Sequence, residues 1–210
     1  MVTTRRAYLA GVAGAVGLAG CLGGGSSGAN GCEIDDEPVV ESLPSPVLGD
    51  PDADVTVMVF EDFACPHCAT FSLEVLPRLR ESYTDPGTIR YEHHDLPIPV
   101  DEKWSWKAAS AARGVQDEVD DDAFFEFAHA LFENQGDYSM SLVTDLANEA
   151  GAPGCAIQAD AVNETYRPVV EADRQYAVEL GADGTPAAYV NGESVDPTYG
   201  AIADAIDAAT

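Results

Sequence analysis

Positive charge is scarce in this chain. Its 210 residues carry 10 lysines and arginines against 37 aspartates and glutamates, a formal net charge of −27. Lysine is nearly absent; only Lys103 and Lys107 occur. Such a field excludes non-specific nucleic-acid binding, which needs cations to displace the counterions of phosphates. It also argues against charge-driven docking on anionic lipid. With only 3 methionines, no methionine cluster offers thioethers to a soft metal. No internal repeat is evident. What is abundant is apolar: 46% of residues, so the charge is not that of a disordered chain. The length suits one domain with a real core. An acid-rich, lysine-poor composition predicts work in concentrated salt, where a Debye length of roughly 3 Å screens self-repulsion. An ordinary acidic domain is the alternative, and unfolding in dilute buffer would separate the two.

The N-terminus reads as an address. Arg5 and Arg6 precede an Ala/Gly/Val/Leu stretch that ends at Cys21. That stretch, residues 7–20, is shorter than the roughly 20 residues needed to span a bilayer. It fits the apolar part of a cleavable signal better than a permanent membrane helix. Thr4 to Leu9 resembles a twin-arginine export signal. Leu18-Ala19-Gly20-Cys21 resembles a lipobox, whose cysteine is lipidated and becomes the mature N-terminus. The expected organisation is an export signal over 1–20, a flexible Gly-rich and acidic tether over 21–47, and a folded domain over 48–210.

Five cysteines are present, at 21, 32, 65, 68 and 155. With Cys21 lipidated, four remain, an even number. Cys65-Pro66-His67-Cys68 is the only C-x-x-C pair, and adjacent His93 and His94 are poorly spaced as ligands for one metal. Counting therefore favours redox over a structural metal. Residues 55–60 form an almost wholly apolar, β-branched run, the sign of a buried strand. Phe71, Val75 and Leu76 then recur at helical spacing, and Pro66 falls at a helix start, where proline is tolerated. Cys65 is thus expected at a helix N-terminus, where free N–H groups and the helix dipole stabilise a thiolate. Cys68, one turn in, is placed to resolve a mixed disulfide.

Beyond the motif, 88–94 reads as a strand and about 103–180 as alanine-rich helices. Residues 187–190 and 193–195 flank Asn191-Gly192, a hairpin signal, and 198–209 closes the chain as a helix. Phe60 to Cys68 resembles the active-site segment of DsbA-type thiol–disulfide oxidoreductases. Pro77 in the active-site helix, Gly184-Thr185-Pro186-Ala187 and the Phe124–Phe132 stretch are similar to the family as well. The resemblance covers about 48–210. It implies an α/β thioredoxin fold, a central mixed β-sheet flanked by helices, with an α-helical insertion at about 100–180.

The resemblance implies roles for these residues. Cys65 is the nucleophile, or in the oxidised enzyme the sulfur attacked by a substrate thiolate. Cys68 resolves, and His67 stabilises the Cys65 thiolate. Pro186 is the cis-proline facing the disulfide, and Thr185 supplies a backbone contact to an extended substrate. No cofactor is expected beyond the Cys65–Cys68 disulfide, and no metal. Partners are exported proteins with cysteines, a redox partner, and the membrane through the lipid at Cys21. The chain departs from the family at Val59, where many thioredoxin-fold enzymes bury an acid that relays the proton of the second cysteine. Water, Glu61 or Asp62 are then the routes open to Cys68.

Cys32 and Cys155 either pair or leave Cys32 as a free or docking thiol. His93 and His94 are expected to end a strand with no ligand role. Of Trp104 and Trp106, at most one faces the core. The leading function is dithiol oxidation. Isomerase or reductase activity, a copper-binding module and a binding lipoprotein with a silent disulfide are the alternatives.

Overall fold

A computed structural model describes residues 26–27, 29–34, 38–98 and 100–210. The expected export signal and Cys21 lie outside the described residues. Five strands form the main sheet: β3 (Val47–Gly49), β4 (Thr56–Glu61), β5 (Arg90–Asp95), β6 (Ala187–Val190) and β7 (Glu193–Val195). Their order is β3-β5-β4-β6-β7, with β4 and β5 parallel and the other pairs antiparallel. A two-stranded sheet, β1 (Ser26–Ser27) with β2 (Glu33–Ile34), lies apart.

Strand β4 is apolar throughout because both faces of the sheet are covered. Val57 and Val59 enter the main core with Phe71, Leu79, Ile202 and Ile206. Met58 and Phe60 point the other way, into a smaller cluster with Leu96, Ala177 and Tyr189. The first face is covered by the active-site helical segment, α1 (Pro66–Thr70) and α2 (Leu76–Leu79), and by α8 (Tyr199–Ala209). The second is covered by α7 (Arg167–Glu179). Helices α3 (Trp104–Glu118), α4 (Asp121–Glu133), α5 (Met140–Glu149), α6 (Gly154–Asn163) and α7 make up the insertion between β5 and β6. Asn191 and Gly192 both take positive φ, as the two-residue hairpin requires.

Three features depart from the sequence reading. The active-site helix is interrupted by π-helical turns at Phe71–Val75 and Arg80–Thr84. Pro77 has no N–H to give to the Leu73 carbonyl, so the regular ladder cannot continue there. Next, β3 is an added edge strand, and its Gly49 has φ +84° with the Ile89 carbonyl where a Cβ would stand. Third, of the tether expected over 21–47, the described residues at 32–34 and 38–47 belong to the folded unit. Cys32 is bonded to Cys155 in α6, and both Cys32 and Ile34 are buried against Ala159. Val40 N–H donates to the Thr165 carbonyl, and the Pro44 carbonyl accepts from Arg113 and Gln116. The segment is held by one covalent bridge, by buried Ile34, by backbone hydrogen bonds and by the Ser45 hydroxyl, 3.3 Å from His94 Nδ1.

Candidate active site

Strand β4 ends at Glu61, and the chain turns through Asp62-Phe63-Ala64 into α1. Cys65 is the residue before the first helical turn, with an extended backbone, and Pro66 occupies the first position. The turn is closed by the Cys65 N–H donating to the Asp62 carbonyl at 2.9 Å. Asp62 cements it from inside: its carboxylate accepts from Ala64 N–H (2.8 Å), Ile98 N–H (2.8 Å) and Ser105 Oγ (2.9 Å). The insertion holds the same turn from outside. Gln135 Nε2 donates to the Phe63 and Cys65 carbonyls at 2.8 and 3.0 Å, and Tyr138 Oη donates to Phe63 at 2.8 Å.

Cys65 and Cys68 are not bonded to each other and both are buried as residues, but Pro66 and His67 between them are exposed. The Thr185–Pro186 peptide bond is cis, and the Thr185 carbonyl oxygen lies 3.6 Å from Cys65 Sγ. Sequence positions 120 residues apart thus meet at one sulfur. The buried Cys68 Sγ accepts from Asp62 N–H at 3.4 Å.

The two sulfurs are driven in opposite directions. Cys65 is lowered to about 5, chiefly by the hydrogen bond from the Cys68 thiol. Burial opposes this, and the Thr185 side chain with the backbone N–H groups of Cys68 and His67 reinforces it. Cys68 is pushed far up by burial, by sharing its proton with Cys65 and by the charge of Glu61. At neutral pH the pair is a thiolate at Cys65 and a thiol at Cys68.

A thioredoxin family model matches residues 41–208. Disulfide bond formation protein D of Bacillus subtilis is 32% identical over 152 residues, 70% of this chain and 67% of that protein. Probable disulfide bond formation protein D of Bacillus cereus is 30% identical over 169 residues, 76% of each chain. Among solved structures, oxidised BdbD from Bacillus subtilis superposes with TM-score 0.72 at 29% identity, covering 82% of this chain and 98% of that one. Chlamydia trachomatis DsbA, at 20% identity, shares the fold with TM-score 0.70, covering 83% of this chain and 96% of that one. The chain belongs to the DsbA-type disulfide bond formation proteins of the thioredoxin fold.

As a DsbA-type thiol–disulfide oxidoreductase it brings Cys65, Cys68, Thr185 and Pro186 together. His67 adds to the lowering of Cys65 only through its backbone N–H, behind the Cys68 thiol, and the residue itself is exposed. Among the described residues no group of three or more His, Cys, Asp or Glu is placed to hold a metal.

His93 and His94 lie near the end of β5, as expected, and both belong to a buried network. His93 Nδ1 is 3.3 Å from Glu61 Oε2 and its Nε2 is 3.4 Å from Asp95 Oδ1. Asp95 and Asp173 each meet the guanidinium of fully buried Arg113 at 2.6 Å, and Asp173 reaches His94 Nδ1 at 3.0 Å. A buried ion network therefore runs from the redox site across β5 into α3 and α7. The signal in the sequence is Arg113: a rare cation amid the alanines of an apolar helix must have buried acids to meet. Gln135 and Tyr138 carry no such signal, because they follow a helix whose docking is decided only in the fold. Trp104 is buried, while Trp106 is half-buried under the Arg167 guanidinium, 4.0 Å from its ring centre.

Proposed function

We propose that this protein is an extracytoplasmic dithiol oxidase that introduces disulfides into exported proteins through a mixed disulfide at Cys65. The observation that carries the direction is the place of Cys65 at the start of α1, where the Cys68 thiol and the backbone N–H groups of Cys68 and His67 lower it to about 5. A stabilised thiolate favours the reduced enzyme, which makes the Cys65–Cys68 disulfide a strong oxidant and Cys65 a good leaving group. An extended substrate would pair its backbone beside Thr185 and Pro186, as an added strand does. One substrate thiolate attacks Cys65 Sγ, the Cys65–Cys68 bond breaks, and Cys68 receives the electron pair. A second substrate thiolate then attacks the substrate sulfur and expels Cys65 as thiolate, leaving the enzyme with two electrons for a redox partner.

The deciding experiment is the reduction potential at high salt. A value above about −150 mV supports the oxidase; one near about −270 mV makes it a reductase. Stoichiometric copper uptake without thiol exchange would remove the enzyme reading altogether. Attachment to the outer face of the membrane through lipid at Cys21 belongs to the same proposal, supported by Arg5-Arg6 and the Leu18–Cys21 motif. Mass spectrometry of the mature N-terminus tests it, and an intact Met1 defeats it.

A further inference from the structure

We propose that Cys68 exchanges its proton with solvent through Glu61 and His93, by way of a cavity that neither Cys65 nor the Thr185–Pro186 loop lines. The inference rests on the thiol–disulfide chemistry above. It gives the enzyme a proton entrance separate from the substrate face.

Glu61 ends β4 on the same face as Val57 and Val59, the face covered by the active-site helix. Ser72 Oγ donates to Glu61 Oε1 at 2.8 Å. Ser72 lies four residues beyond Cys68, on the next turn of the same helix face. The Glu61 carboxylate is thereby bonded to the helix one turn beyond Cys68, and its charge is one cause of the raised Cys68 thiol. Its second oxygen faces His93 at 3.3 Å. Asp62, the nearer residue in sequence, has no such freedom, since three donors already occupy its carboxylate.

Behind this pair lies a cavity of about 520 Å³, lined by Glu61, Ser72 and His93 on its inner side and by Leu76, Phe125 and Ala128 along its walls. The charged groups facing it are Arg80, Glu81 and Asp85 from the active-site helix, and Glu126 and His129 from α4. On β5, Asp95 faces the other nitrogen of His93, with Arg113 of α3 beyond it. Tyr91, two residues before His93, is fully buried with a hydroxyl that has no hydrogen-bond partner. Glu61 and Cys68 are the two groups whose charges bear on that hydroxyl. Burial disfavours the imidazolium, but Asp95 and Glu61 outweigh it and raise His93 to about 9.

When a thiolate attacks Cys65 Sγ, the new S–S bond forms at Cys65 and Cys68 leaves as a thiolate. Its proton comes from the Glu61–His93 pair: Glu61 passes it on, imidazolium becomes imidazole, and cavity water restores it. One proton enters per mixed disulfide formed. On reoxidation the same proton leaves by the same route.

The test is reduction of the oxidised protein by dithiothreitol, followed by stopped flow with a pH indicator in H2O and D2O. This reads protonation of Cys68 whichever direction the enzyme runs in the cell. Glu61→Gln should slow proton uptake on the order of a hundredfold and abolish the solvent isotope effect, with the Cys65 titration still near that of the parent. Ala128→Leu, which fills the cavity and leaves Glu61 intact, should also slow uptake and carries the test if the first variant misfolds. Asp62→Asn should keep the isotope effect. Parent-like uptake in both Glu61→Gln and Ala128→Leu, or loss of the isotope effect only in Asp62→Asn, overturns the proposal. A reductase-range potential alongside these effects would defeat the oxidase reading and leave this one standing.

Discussion

The Cys32–Cys155 bridge should be worth a large part of the protein's stability, and mostly through the unfolded chain. It joins residues 123 apart. The chain-entropy relation for a loop of that length gives about 5 kcal/mol, at the top of the range of about 2–5 kcal/mol for losing a native bridge. Native contacts of the segment do not depend on it. Val40 N–H still reaches Thr165 (2.8 Å), His93 N–H reaches Pro46 (3.2 Å), and Val47 N–H reaches the Asp121 carboxylate (3.0 Å). The double variant Cys32→Ala/Cys155→Ala, made with Cys65→Ser and Cys68→Ser to prevent exchange, should therefore fold to the same structure. With a urea m-value of about 2–3 kcal/mol/M, the midpoint should fall by roughly 2 M and m should rise as the unfolded state expands. The assay is equilibrium unfolding at high salt by circular dichroism and Trp fluorescence. A shift below about 0.3 M would refute the reasoning. So would a separate early transition, which would mean the bridge restrains only a frayed end.

Alkylation should modify Cys65 alone in the native protein, with a rate that is flat at neutral pH and falls at half-height near 5; native modification of Cys68 would contradict its burial. Stability should hold a plateau between about pH 4 and 6.5. The folded-state value of His93, raised from 6.5 to about 9, confers stability that is complete below 6.5 and lost as pH rises through 9, about 3 kcal/mol in size. Asp95, lowered by Arg113 and His93 against its burial to about 2, confers stability present above 3.8 and lost as pH falls through 2. Thermal unfolding across pH checks both limits. Arg113→Met should cost about 3–5 kcal/mol by leaving Asp95 and Asp173 buried without a cation, and adding Asp95→Asn should recover part of it. Gln135→Ala removes two hydrogen bonds from the active-site turn and should destabilise by about 1–2 kcal/mol while raising the Cys65 midpoint in a thiolate absorbance titration.

The strand at 56–61, the helix start at Pro66 and the hairpin at Asn191-Gly192 were legible because each is a local signal: an apolar run, a proline at a helix start, a turn dipeptide. The meeting of Cys65 with Thr185 was legible only through resemblance, since no spacing within the chain implies a contact across 120 residues. Val47–Gly49 is three residues long and its partner is β5, so no pattern marks it as a strand. The described residues before β3 look like a tether in the sequence because what holds them, the Cys32–Cys155 bridge and bonds such as Val40 N–H to Thr165, leaves little trace in composition. Glu61 and Asp62 are neighbours with the same chemistry. Only their partners, Ser72 and His93 for one and three donors for the other, assign them different work.

The burial of Arg113 has a consequence for the rate of substrate capture. Arg113 is wholly inside, neutralised by Asp95 and Asp173. The surface an approaching polypeptide meets is then dominated by acids, with Arg78, Lys103 and Arg174 among its few exposed cations. Basic unfolded chains should be drawn to it and acidic ones held off, and added salt should slow capture of the first and speed capture of the second. In molar salt both rates converge. Selection among substrates then passes from charge to whatever sequence can lie extended beside Thr185 and present a thiolate to Cys65.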